Sequence, residues 1–442
     1  MRRPGRRALS ILLVIVYLLF RPASPAAASP SDDARIIDNL SRAVEILRGR
    51  NFRNPIPRKT CSEAELRTMI EASLRREYTN ESLRQYESFV HSIGAIPDST
   101  SLVETLVDLE SNQIQAFYEP STRTFYTVER QADSGDLDPM VVVHELTHAL
   151  DDQVVGLDSL MASASNDDEV FAAKALVEGS ATEDMIRFAL QAGYAESPKR
   201  EVRPVIRSGW SQRRNFEDQP RYFQNQLATY TCGMFFILGG NLEDLVDDSD
   251  ERMDVEANFI RAAKHCPRSS EQILHPRKYW VEGSRDEPVD VDDARIGKLL
   301  EPLGFHILSA ATGGEILAAS LTAPPGQKIA PIDMWFPWNW TNAAAEGWGG
   351  DRFYVLGPAS GSAHPALWIT LWDTPGDRDQ FEFAYRSRMQ HPTRVIRLGL
   401  RGAVFLYDIP EDSASRMDGI LHQGEHLGLT KAGRPWDPRT SN

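Results

Sequence analysis

The sequence predicts an α+β fold: a mainly helical region with a short β-hairpin or sheet just before its central helix, then a smaller antiparallel α+β domain. Three observations carry this. Apolar residues recur at helical spacing through 36–47, 65–76 and 82–93, and start and stop residues frame further helices at 138–156 and 166–193. Two runs rich in aromatic and β-branched residues, 115–120 and 124–128, are separated by Ser121, Thr122 and Arg123, the spacing of a hairpin. From about residue 290 the composition shifts to aromatics and turns, and strand-like alternation sets in.

Residues 1–28 read as a secretion signal. Arg2, Arg3, Arg6 and Arg7 form a basic region, residues 8–20 an apolar one, and Ala26, Ala27 and Ala28 a small-residue cleavage site. The apolar region is too short to span a bilayer comfortably. The expected product is secreted or periplasmic, cleaved after Ala28, with no stable membrane insertion afterwards. Removing this segment takes away five arginines and no acid, moving the formal charge from −15 to −20. So acidic a chain repels phosphate backbones, which excludes nucleic acid and anionic membrane surfaces as partners. The remainder is long enough to require more than one core. Three cysteines, Cys61, Cys232 and Cys266, allow at most one internal disulfide, with Cys232 and Cys266 nearest in sequence and the connectivity open.

Residues 29–100 read as a helical cap or a pro-like region, because basic and acidic residues alternate along amphipathic runs. Residues 101–285 form the central domain. Its hairpin, at 115–128, either offers a strand edge to an extended peptide or only roofs the helix that follows.

That helix holds the spacing His-Glu-x-x-His. Asp138 and Pro139 suit the N-cap and first helical position, residues 140–143 are an apolar lead-in, and Gly156 suits the end. Positions four apart share one helix face, so His144 and His148 can present two imidazoles to one tetrahedral zinc ion. Glu145 lies beside them, placed to take a proton from water and pass it to a leaving group. Catalytic zinc needs a third protein ligand, and the best candidate is Glu178. It shares a mostly apolar helix face with Phe171, Ala175, Thr182 and Met185, where a carboxylate without a partner is costly. Ala172, Ala173, Gly179 and Ala181 are small enough to let the two ligand-bearing helices approach closely.

HELTHALDDQ followed by ALVEGSAT resembles the gluzincin superfamily, the thermolysin-like zinc metallopeptidases. More closely, the chain resembles a group of exported bacterial HExxH proteins, through the FYEP and FYTV hairpin, SEQILHP at 270–276 and GWGGDR at 347–352. The resemblance implies a zincin-like catalytic domain with His144, His148 and Glu178 as zinc ligands and Glu145 as general base. It implies an exported zinc-dependent metallopeptidase, with peptide or protein substrates, hydrolysing peptide bonds through a zinc-bound water that Glu145 activates. In one place the chain departs from the thermolysin-like pattern. Four residues after the ligand glutamate, where those enzymes carry an aspartate that orients a histidine, it has Thr182; Asp152 is a candidate substitute.

An oxyanion donor is sought among His275, Tyr279 and Tyr230. Ser269 to Gln272 has capping-box spacing and Pro276 ends the short helix, so His275 also has a purely structural explanation. His422, Glu425 and His426 match the inverted spacing HxxEH, but Gly424 inside that helix argues against it. In the last domain, 290–442, strands are expected at 353–356, 366–372, 395–398 and 403–407, a turn at 373–377 and a helix at 378–389. Gly347 to Asp351 reads as a tight turn around a buried Trp348. A second functional expectation is a secreted or envelope-associated binding protein whose zinc is a structural clamp without turnover.

Overall fold

The computed structural model describes residues 30–77, 79–111, 114–129, 137–191, 219–241, 254–324, 327, 329–330, 333–358, 364–388, 394–421 and 427–440. The expected secretion signal and the His422–His426 motif lie outside them.

The fold is mixed α+β, with a helical region and antiparallel sheets. The chain opens with α1 (Pro30–Arg48), β1 (Arg58–Ser62), α2 (Glu63–Glu77), α3 (Asn80–Ser92) and α4 (Leu102–Ser111). Next come β2 (Ala116–Glu119), β3 (Thr124–Glu129), α5 (Pro139–Val155), α6 (Leu157–Ala162) and α7 (Asp167–Gln191). The helical region continues through α8 (Arg221–Ile237), α9 (Val255–Lys264), α10 (Ser270–Leu274) and α11 (Arg277–Trp280). The remainder is β4 (Val289–Asp290), α12 (Asp293–Leu300), β5 (His306–Ala311), α13 (Gly314–Thr322), β6 (Trp348–Gly357) and β7 (Ala366–Trp372). It ends with α14 (Pro375–Arg388), β8 (Arg394–Leu398), β9 (Gly402–Tyr407), α15 (Glu411–Leu421), β10 (Thr430–Lys431) and β11 (Arg434–Pro435).

The expected hairpin is present: β2 pairs antiparallel with β3, Tyr118 opposite Phe125, and Arg123 takes the left-handed turn position at φ 51. β1 adds to β3 in parallel, giving the order β1-β3-β2, so β2 is the edge strand. The larger sheet is antiparallel, in the order β5-β6-β7-β9-β8.

Alternation along β7 decides how that sheet packs. Leu367, Ile369 and Leu371 enter a core shared with Ile296, Met417 and Leu421, whereas Trp368 and Trp372 enter the main core with Phe381 and Phe405. The main core also contains Val142 and Leu146 of α5, so the sheet and the helical region share apolar packing across the expected boundary near 290. The tight turn expected at 347–351 is only partly that. Gly347 turns at φ 79, but Trp348 opens β6, buried, and the extra residue is absorbed in a bulge before Gly350.

Of the small residues of α7, Gly179 faces a different neighbour from the expected one. A Cβ on Gly179 would fall on the backbone carbonyl of Gly233, and one on Gly233 would fall on the Ala175 carbonyl. At these glycines the backbones in contact are those of α7 and α8, while α5 meets α7 through side chains such as Glu178. The three cysteines are free thiols, so the one disulfide they could allow is not formed. Among the described residues no helix is long and apolar enough to cross a membrane.

Candidate metal centre

α5 begins as its sequence dictates. Asp138 accepts the Met140 amide at 2.9 Å, Pro139 fills the first turn, and Gly156 ends the helix in the left-handed conformation at φ 69. α7 begins with the Asn166 side chain accepting the Glu169 amide at 3.0 Å. These frames fix the rotation of both helices. The result is that donor atoms of His144, His148 and Glu178 all lie within 4.8 Å of one another. His144 Nε2 stands 3.1 Å and His148 Nε2 3.4 Å from the same oxygen, Glu178 Oε2.

The three side chains and Glu145 are fully buried. Several of their polar atoms nonetheless lack a hydrogen-bond partner: His148 Nε2, Glu178 Oε1, Glu145 Oε1 and both histidine Nδ1 atoms. Such orphans cost about 1–3 kcal/mol each. A divalent cation bound by these donors would offset that cost, and two imidazoles with one carboxylate are a donor set suited to zinc. Burial pushes the His144 imidazole down to about 4, into the neutral form that ligates. Burial alone would raise Glu178, but the two imidazoles against it outweigh burial and lower the carboxyl to about 2.

Glu145 Oε2 accepts the Tyr118 amide of the edge strand at 2.8 Å. Burial first, and then the Glu178 charge, push its carboxyl well above the ordinary range against that hydrogen bond. One oxygen is thus anchored and the other free to exchange a proton.

Behind the ligands lies a layer that the motif does not reveal. Arg48 of α1 reaches Asp184 Oδ2 at 2.6 Å, Asp151 Oδ2 at 3.3 Å and the Ser180 hydroxyl. Thr147, between the two histidines, donates to Asp184 at 2.9 Å, and Ser180, two residues past Glu178, donates to Asp151 at 2.7 Å. The network ties α5 to α7 next to the ligands. No sequence pattern announces it, because Arg48 stands a hundred residues or more from Asp151 and Asp184.

The remaining candidates separate. Asp152 accepts the Tyr118 hydroxyl at 2.8 Å and the Leu157 amide at 2.7 Å, so it closes the end of α5 instead of orienting His148. Thr182, in the position of the thermolysin-like aspartate, leaves its hydroxyl unpartnered. Tyr230 is brought to the centre, its ring 5.9 Å from that of His144. His275 bonds Glu315 at 3.0 Å. The preceding helix docks on Asp168, ten residues before Glu178 and so about 15 Å away along α7. The Tyr279 hydroxyl donates to the His265 carbonyl at 2.5 Å.

A family model described as a domain of unknown function (DUF8575) matches residues 308–426, a stretch wholly C-terminal to the donor residues. No curated protein and no solved structure matches the chain.

Proposed function

We propose that this chain is an exported zinc-dependent metallopeptidase of gluzincin type, with a zincin-like catalytic region, acting on peptide or protein substrates outside the cytoplasm. His144, His148 and Glu178 would hold the zinc. One observation carries the reading: three buried donors converge within 4.8 Å, beside a buried glutamate with one free oxygen, on the His-Glu-x-x-His spacing. Zinc, when bound, supplies the Lewis acidity that polarises a scissile carbonyl and acidifies water.

The other roles belong to side chains. Glu145 would take a proton from water on Oε1 while the Tyr118 amide holds Oε2 in place, and pass that proton to the leaving amine. Tyr230, beside His144, is the candidate oxyanion donor of the three considered. β2 runs along the edge of its sheet, with its Tyr118 amide turned toward Glu145.

The complete burial of all four side chains favours a second reading, a binding protein whose zinc clamps α5 to α7 without turnover. Zinc content by mass spectrometry together with a broad peptide-library digest decides between them. The peptidase reading expects about one zinc per chain and hydrolysis that Glu145→Gln abolishes while zinc stays. Zinc without hydrolysis in the native chain supports the clamp, and absence of zinc after loading removes both.

A further inference from the structure

The helical region meets the stretch matched by the family model through α10 and α13. At the start of α10, Ser270 Oγ accepts the Ile316 amide at 3.2 Å, while the Ser270 amide donates to Asp168 of α7 at 3.0 Å. At its end, His275 Nε2 stands 3.0 Å from Glu315 Oε1 of α13. The two partners differ in their access to water. The Glu315 side chain is 0% exposed and that of His275 29%. Glu315 Oε1 also accepts the Thr341 hydroxyl, and its Oε2 has no partner.

A sealed carboxylate thus takes its counter-charge from an imidazole that solvent protons can reach. Among the described residues no lysine or arginine pairs with Glu315. The ammonium of Lys278, on α11, is already taken by Glu271 at 2.5 Å, Asp373 at 3.3 Å and Asp286 at 3.4 Å. We propose that His275 and Glu315 form a pH-sensitive latch between the helical region and the C-terminal part of the chain. With His275 protonated, the pair ties α13 to α10. Once the imidazole loses its proton, Glu315 is a buried charge without a cation, and α13 loosens from α10.

The charges around the ring set the direction. Burial disfavours the protonated imidazole, but Glu315 from α13 and Glu346 from the segment before β6 outweigh burial and the Lys278 ammonium, so the ring titrates above its ordinary value. Glu271, on α10 itself, faces Glu315 as a like charge. The end of α8 that packs against Pro276, residues 235–240, carries no charge. A histidine raised on folding contributes stability that is full below its unfolded value, near 6.5, and lost as pH climbs through the folded one. The latch is therefore closed in acid and opens toward alkaline pH. It stands whether or not the His144 centre binds zinc.

Two measurements on the full chain test this. Histidine NMR, with the His275 signal assigned by its loss in His275→Gln, is expected to show a midpoint above about 6.5 that falls in Glu315→Gln. Hydrogen exchange by mass spectrometry compares protection factors of residues 314–322 with those of β7 at pH 6 and pH 9. In the native chain the protection of 314–322 relative to β7 is expected to fall about tenfold at pH 9, the linkage of one pKa unit; in His275→Gln it is low at both pH values. A midpoint at or below about 6.5, a midpoint indifferent to Glu315→Gln, or a pH response that survives in His275→Gln overturns the proposal. Should either variant fail to fold, the native exchange profile decides it: protection of 314–322 that does not change with pH rules the latch out.

Discussion

Replacing Arg48 by Met tests whether the first helix belongs to the core of the protein or is a removable leader. In the native chain the Arg48 side chain is enclosed, and it pairs with Asp184 at 2.6 Å, Asp151 at 3.3 Å and Glu256 at 2.9 Å. Methionine fills much of the volume and leaves the buried Asp184 without its cation, while Asp151 keeps only Arg50, at 3.4 Å. Asp184 keeps the Thr147 hydroxyl and Asp151 the Ser180 hydroxyl, so neither is stripped of hydrogen bonds. The loss is that of one partner from a buried ion cluster, about 3–5 kcal/mol, out of a total stability of about 5–15 kcal/mol. The pH dependence has a definite sign. Burial already raises Asp151 above its ordinary value, and removing its Arg48 partner raises it further. A carboxyl raised on folding contributes stability that is present below its unfolded value, near 4, and lost as pH climbs through the folded one. The deficit of Arg48→Met should therefore be small near pH 4 and full at pH 8. Urea unfolding at both pH values reads it directly. A deficit under about 1 kcal/mol at pH 8, or one that grows on acidification, would refute the account. The same result bears on processing: if Arg48 holds α5 and α7 together, proteolytic removal of α1 must destabilise the metal centre and cannot mature it.

Further outcomes follow from other contacts. Gly179→Ala drives a methyl group into the Gly233 carbonyl, so α7 and α8 must separate; we expect a loss of about 1–3 kcal/mol or more in urea unfolding, together with weaker zinc retention because Glu178 is adjacent. Glu110 is buried with one unpartnered oxygen, and burial pushes it up to about 7 despite Lys174. Its contribution is intact below about pH 4.5 and is lost toward pH 7, on the order of 3 kcal/mol, and Glu110→Gln should flatten that part of the stability profile. Chelation should lower the thermal midpoint and added zinc restore it, since the ligands are left as buried orphans; a midpoint indifferent to both contradicts metal binding.

The fold was legible where its cause is local. The frame of α5 could be read from Asp138, Pro139 and Gly156 because caps act within one turn, and the hairpin from its aromatic runs because pairing across a short turn needs no distant residue. The alternation of β7 predicted which residues face each way, and both faces proved buried. The pairing of β1 with β3 was not legible, since a parallel partner more than sixty residues away leaves no mark on the strand itself. Neither was the neighbour of Gly179: a small-residue face announces a close approach without naming who approaches. At the centre, His144, His148 and Glu178 come together as their spacing and burial suggested, while Asp152 and His275 turn out to be bonded elsewhere. Both are polar residues with ordinary structural work, which sequence alone does not separate from chemistry.

What fixes Glu178 relative to the two histidines is a property of α7 as a whole. Near its start, Asp168 is held by the Ser270 amide; at its middle, Gly179 rests on Gly233; one turn further, Asp184 is held by Arg48 and Thr147. Three neighbours on different sides thus restrain one rod, and a carboxylate on a rod so restrained has little freedom to leave the imidazoles. Each restraint is of a different kind, a backbone hydrogen bond, a steric contact and an ion cluster, so conditions that weaken one leave the others in force. Acid acts on the Arg48 cluster but not on the glycine contact, whereas an added methyl group does the reverse. Zinc retention compared in Arg48→Met and Gly179→Ala separates the two: if packing sets the geometry of the donor triangle, Gly179→Ala weakens retention more, and the reverse order assigns it to the ion cluster.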